Sequence, residues 1–154
     1  MKLIPLLLTA VFATHASAAG DNNMPTLSNA DLEMGLTAIK AKDWKRAVSS
    51  MQAATNYDPN SADAWNWLGY SYRNAGDYKN ALTAYDRALK IDPKHRGAHS
   101  YLGEAYLMAG NMPKAEEHLK ILDKLCFLPC TEYTALKTAV AYYKQSGRVD
   151  PNAK

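Results

Sequence analysis

The sequence holds only two cysteines among its 154 residues, no block of like charge and, past its first dozen residues, no long apolar stretch. Each shortage excludes something. A helix needs about 20 apolar residues to span a bilayer, and no segment reaches that. The 18 basic and 15 acidic residues are interspersed along the chain and leave a net charge of +3, so a nucleic-acid partner is not implied. There is no glycine-rich phosphate loop, no G-x-S-x-G and no H-E-x-x-H. Glu116 and Glu117 are adjacent on a predicted helix and point in different directions, so they make no catalytic dyad. Neither an enzymatic activity nor a cofactor is expected.

What the sequence does hold is a spacing. From Ala62 to Lys94, Trp65, Leu68, Gly69 and Tyr72 are followed by Ala81, Tyr85, Ala88 and Pro93. At roughly 100° per residue the first four share one side of a helix, and Gly69 lets a neighbouring helix approach closely. The second helix starts near Lys79, with small Ala81 and Ala88 beside the rings of the first. Asn74, Ala75, Gly76 and Asp77 make the turn: Gly76 suits a left-handed helix end, Asp77 caps the next helix, and Pro93 stops it.

The pattern recurs on both sides. One period back lie Met34, Gly35, Ala38, Ala47, Met51, Ala54 and Pro59; one period forward lie Leu102, Gly103, Tyr106, Ala115, Leu119, Leu122 and Phe127. Three tandem units follow, at 28–61, 62–95 and 96–129. The whole resembles the tetratricopeptide repeat (TPR) family, with a period of about 34 residues. The resemblance implies an all-α solenoid of three helix-turn-helix repeats. Asp31 and His99 stand where the central unit has Trp65, so the outer units carry less aromatic bulk there. The segment 130–146 places Tyr133, Leu136, Val140 and Tyr143 on one stripe and reads as a capping helix over the last repeat. The tail, 147–154, is expected to fray.

Before the first repeat, Lys2, the apolar run Leu3 to Phe12 and the small residues Ala16-Ser17-Ala18-Ala19 read as a signal peptide over 1–19, cleaved after Ala18 or Ala19. Residues 20–27 form a polar lead-in. An exported protein in the periplasm or secreted is expected, with no stable membrane anchor after cleavage.

TPR proteins similar to this one hold peptides in a concave groove lined by their first helices. On that face lie Asp63, Trp67, Tyr70 and Asn74, flanked by Asn66 and Arg73; Tyr101, Glu104 and Met108 with Ser100 beside them; and Leu36 and Lys40 in the first unit. Aromatic rings with amide and guanidinium neighbours suit a peptide, because rings give rigid contact area and polar groups bond its backbone. The alternative is that Trp67 and Tyr101 simply pack against adjacent helices. The family's clamp for a C-terminal carboxylate is not carried over, because Lys40, Asn66 and Arg73 do not reproduce its placement. A protein or peptide partner is expected, or weak self-association through an exposed terminal face.

Cys126 and Cys130 flank Phe127-Leu128-Pro129, where the last repeat should end and the cap begin. Export favours a disulfide there. A different reading makes the pair a thiol-redox couple or soft ligands for a metal such as copper(I), in a metal-handling or redox accessory protein. The C-x3-C spacing and the absence of a βαβ pattern weaken the redox form. His95 and His99 are four residues apart but lack a third ligand nearby, so no metal site is expected; His118 is read as a surface residue. With Lys90, Lys94, Arg96, Lys114, Lys120 and Lys124 these histidines make the second half locally basic, read as a solvated helical surface.

Overall fold

The computed structural model describes residues 27–149 as seven α-helices with no strand among them. They are α1 (Leu27–Lys40), α2 (Trp44–Tyr57), α3 (Ala62–Asn74), α4 (Tyr78–Ile91), α5 (Arg96–Met108), α6 (Met112–Leu125) and α7 (Thr131–Ser146). The expected signal peptide, most of the lead-in and the last five residues lie outside the described residues. No described helix is long and apolar enough to cross a membrane.

Side-chain caps start the five helices α2 to α6. Asp43, Ser61, Asp77, His95 and Asn111 precede α2 to α6, and each side chain accepts a hydrogen bond from the backbone N–H three residues on. Gly76 and Gly110 close the turns at φ of 84° and 73°; at the corresponding place in the first unit Lys42 takes φ of 55°, a left-handed conformation that costs a side-chain-bearing residue more than glycine.

Odd-numbered helices touch one another in series, α1 with α3, α3 with α5 and α5 with α7, whereas among the described residues α2, α4 and α6 touch only their odd-numbered neighbours. A stack whose odd helices close up while the even ones splay must curve, with the odd helices on its inner face. On the outer side the splay leaves a gap of about 400 Å³ between α2 and α4, walled by Gln52, Thr55, Asn80 and Thr83 and floored by Trp65, Leu68 and Tyr72.

Glycine makes the close approaches. A Cβ built on Gly35 would meet the Met51 side chain, and one on Gly69 the Tyr85 ring, so within the first two units the large residue of the second helix sits over the glycine of the first. The third unit departs from this. Gly103 is covered by Leu136 of α7, not by α6, so the terminal helix takes over the role of the second helix at this contact. Leu136, Ala139 and Val140 complete a core with Leu107, Ala115 and Leu122, flanked by Tyr133 and Tyr143.

Three expectations need correction. Met34, placed by the period in the position of buried Leu68, is 42% exposed, because no described helix packs ahead of α1 to cover it. Helix α1 begins at Leu27, inside the segment read as a lead-in. Beyond α7 the chain does not simply fray: Gly147 ends the helix in the left-handed conformation, and Val149 packs back on the α5–α6–α7 core.

His118 is also corrected. It is half-buried, its Nδ1 lies 2.9 Å from Nδ1 of His99, and its ring stacks on Tyr106. His99 Nε2 faces the Pro93 carbonyl at 3.0 Å. A carbonyl only accepts, so His99 Nε2 carries a proton, and the two facing Nδ1 atoms have one proton between them. Burial, and then the neighbouring His99, pull the His118 pKa down to about 4. The folded state therefore favours neutral His118. Its contribution is present above the ordinary histidine range and is lost as pH falls toward 4, where the unfolded chain binds the extra proton. Thermal unfolding scanned from pH 7 to pH 4.5 is expected to show a falling Tm, and His118→Gln is expected to flatten that slope.

Candidate functional site

The inner face is built chiefly by α3 and α5. Trp67 and Tyr70 stand one turn apart on α3, with ring centroids 5.8 Å apart and edge to face. Tyr101 reaches them from α5, at 5.1 Å from Tyr70 and 6.3 Å from Trp67. Trp44, at the start of α2, extends the row with its ring 6.2 Å from Tyr70. All four rings are half-buried. The separations and angles are those of favourable aromatic pairs, so the rings pack against one another and still present part of their surface. Trp44 was not among the residues singled out from the sequence. Its place in the first turn of an even helix hid it; the direct packing of α2 on α3 brings that turn beside Tyr70.

Beneath the rings lies an ion pair. Arg73 of α3 donates from Nη1 to Oε2 of Glu104 on α5, and the two residues are only 6% and 5% exposed. The guanidinium carbon also sits 5.3 Å from the Tyr70 ring centroid and 5.4 Å from that of Tyr101, a cation–π arrangement that fixes both rings. Burial holds the Tyr101 hydroxyl above its usual pKa, with Tyr70 adding to the effect, so it remains a neutral donor and acceptor.

The sequence-predicted groove residues therefore divide. Trp67, Tyr70 and Tyr101 come together as a partly exposed floor. Asn74 is exposed at the end of α3, donating to the Tyr70 carbonyl, and Met108 and Lys40 are exposed at the ends of α5 and α1. Asp63 Oδ1 lies 3.0 Å from His95 Nε2, while His95 Nδ1 accepts from the Ala98 N–H, so His95 ties the start of α3 to that of α5. Arg73, Glu104, Asn66 and Ser100, expected as groove-lining polar groups, are buried instead. Arg73 and Glu104 satisfy each other. Ser100 Oγ donates to the Glu132 carbonyl of α7, so the cap closes over it. Asn66 packs between α3 and Gly97 of α5, with its Oδ1 buried and unpartnered. Leu36 packs with Leu32 and Ile39 in the first core cluster.

Cys126 caps the end of α6 and Cys130 precedes α7. Their sulfurs are within bonding distance and their Cα atoms 5.8 Å apart. Between them Phe127 is 100% and Leu128 72% exposed.

Two models described as tetratricopeptide repeat match the chain, over residues 32–96 and 72–125. No curated protein sequence matches it. Among solved structures, the crystal structure of MamA is similar at a TM-score of 0.61 and 24% identity, covering 64% of this chain and 57% of that one. This chain thus spans little more than half of that protein's length. The first TPR of Spaghetti (RPAP3), bound to an HSP90 peptide, is similar at a TM-score of 0.70 and 15% identity, covering 79% of this chain and 96% of that one. The second TPR domain of human RPAP3, in complex with an HSP70 peptide, gives 0.67 and 15%, covering 75% and 95%. At these identities the likeness is one of fold.

Proposed function

Because this chain belongs to the tetratricopeptide repeat family, we propose that it is an exported protein-interaction module that holds an extended segment of a partner along the inner face of α3 and α5. The observation that carries this reading is the ring floor of Trp67, Tyr70 and Tyr101, half-buried, with Tyr70 and Tyr101 held from below by Arg73 of the Arg73–Glu104 pair. Side chains that are already immobile lose little freedom on binding, so such a floor receives a ligand at low entropic cost. Two structural neighbours, the RPAP3 domains, are complexes with HSP90 and HSP70 peptides, which supports a peptide or protein partner. Lys2, the apolar run after it and Ala16 to Ala19 support export to the periplasm or beyond. In that compartment Cys126 and Cys130 form a structural disulfide at the corner between the last repeat and its cap.

The test is quantitative capture by the purified protein. Once a partner segment is isolated, Trp67→Ala is expected to weaken its binding at least tenfold, or about 1.4 kcal/mol, at a temperature where circular dichroism shows the variant still folded. Equal capture by Trp67→Ala, Tyr70→Ala and the wild type refutes the reading.

A further inference from the structure

The Cys126–Cys130 corner has a feature that the groove does not use. A loop closed over so few residues removes little unfolded-chain entropy, so it adds little to stability. Its evident consequence is to hold Phe127 and Leu128 out in water, fully exposed and 72% exposed, on a short, Pro129-stiffened finger. Exposed aromatic and aliphatic side chains on a rigid support have the form of interface anchors.

A matching cleft exists on the same chain. Where α2 begins beside the end of α3, Trp44, Val48 and Tyr72 floor an open, mostly apolar depression of about 520 Å³. That volume lies within the range of sites that enclose small apolar groups. Each rim carries one charge of each sign, so opposite charges are available to pair across the contact: Lys45 and Asp77, the latter also capping α4, border the cleft, and exposed Asp123 and Lys124 stand at the base of the finger. A mixed-sign rim around an apolar centre is the anatomy of a protein interface; an anionic lipid surface calls instead for a surround dominated by lysine and arginine.

We propose that Phe127 and Leu128 of one copy seat in the Trp44–Val48–Tyr72 cleft of a second copy, joining molecules head to tail. Successive helices are joined by short turns and run antiparallel, so the cleft lies on the edge where the even helices begin and the finger on the edge where they end. The cleft, at α2 and α3, and the finger, at α6 and α7, are also separated along the stack. No copy reaches its own cleft, and each bound copy leaves a free finger and a free cleft. The contact is therefore heterologous and adds copies in line. It is small, so it is weak and shows at high micromolar concentration.

Sedimentation velocity of the purified mature protein over a concentration series tests this, using two blocked variants whose circular dichroism and Tm confirm the fold. Phe127→Ser/Leu128→Ser removes the finger. Ala75→Arg, at an exposed cleft-lining position, fills the cleft without touching the core. The wild type is expected to gain mass with concentration, each variant alone to remain monomeric, and an equimolar mixture of the two to stop at a one-to-one complex, since one supplies the only finger and the other the only cleft. A wild type that stays monomeric throughout overturns the proposal. So does association that persists in the finger variant, or a mixture that stays monomeric while the wild type associates.

Discussion

Glu104→Ala is expected to cost about 3–5 kcal/mol of stability, enough to lower the Tm by roughly 10–20 °C in a fold of this size. Arg73 is 6% exposed, and its one carboxylate partner among the described residues is Glu104. Removing that partner strands a guanidinium between the Tyr70 and Tyr101 rings with no counter-charge and little water. The penalty comes from the charge left behind more than from the bond lost. The double replacement Arg73→Met/Glu104→Leu, which removes both charges and keeps the volume, is therefore expected to recover most of the loss. Urea unfolding of the three proteins separates the two contributions. A single-mutant loss below about 1 kcal/mol would mean that water reaches Arg73 as readily as it reaches a surface pair.

Gly69→Ala is expected to cost about 2 kcal/mol, while the same change at Gly35 stays within about 0.5 kcal/mol of the wild type. A Cβ on Gly69 would fall 2.6 Å from Cε1 of Tyr85, in a ring that is fully buried and has no alternative place to go. At Gly35 the nearest atom is Cε of Met51, also at 2.6 Å; Met51 is just as buried, but this is the end of an unbranched side chain that can change rotamer where a ring cannot. Alanine also favours the helix over glycine by up to about 1 kcal/mol, which offsets what strain remains at Gly35. Two glycines in the same register of successive repeats thus differ because of what lies opposite them. Equal losses at the two positions would show that the backbone separation, not the opposing side chain, decides.

Much of this was legible in the sequence for a simple reason. The repeat writes the same helix-turn-helix three times, so the close helix approach at Gly69, the Asp77 cap and the Gly76 turn can be read from spacing alone. The cap stripe of Leu136 and Val140 was legible from helical periodicity. Depth was not. A helical wheel places Arg73 and Glu104 on the inner face but not beneath it; only the curvature that presses α3 against α5 closes the two over each other, 31 residues apart in the chain. Trp44 joins the rings because α2 packs directly on α3. His99 and His118 meet across α5 and α6 at a place where the central unit has Trp65 in the first helix, a substitution that gives no sign of its partner. Leu136 at Gly103 depends on how the terminal helix docks, which no internal repeat foretells.

The three tryptophans offer the most direct test of the inner face as the binding surface. Trp65 donates its indole N–H to the Pro59 carbonyl at 3.0 Å and floors the outer gap, Trp67 lies in the ring floor and Trp44 at its edge. Nitrogen-15 spectra of the indole groups, recorded while a captured partner segment is titrated in, are predicted to show the Trp67 signal moving most, Trp44 less and Trp65 holding still. Movement of Trp65 with Trp67 unchanged would place the partner on the outer gap and contradict the account.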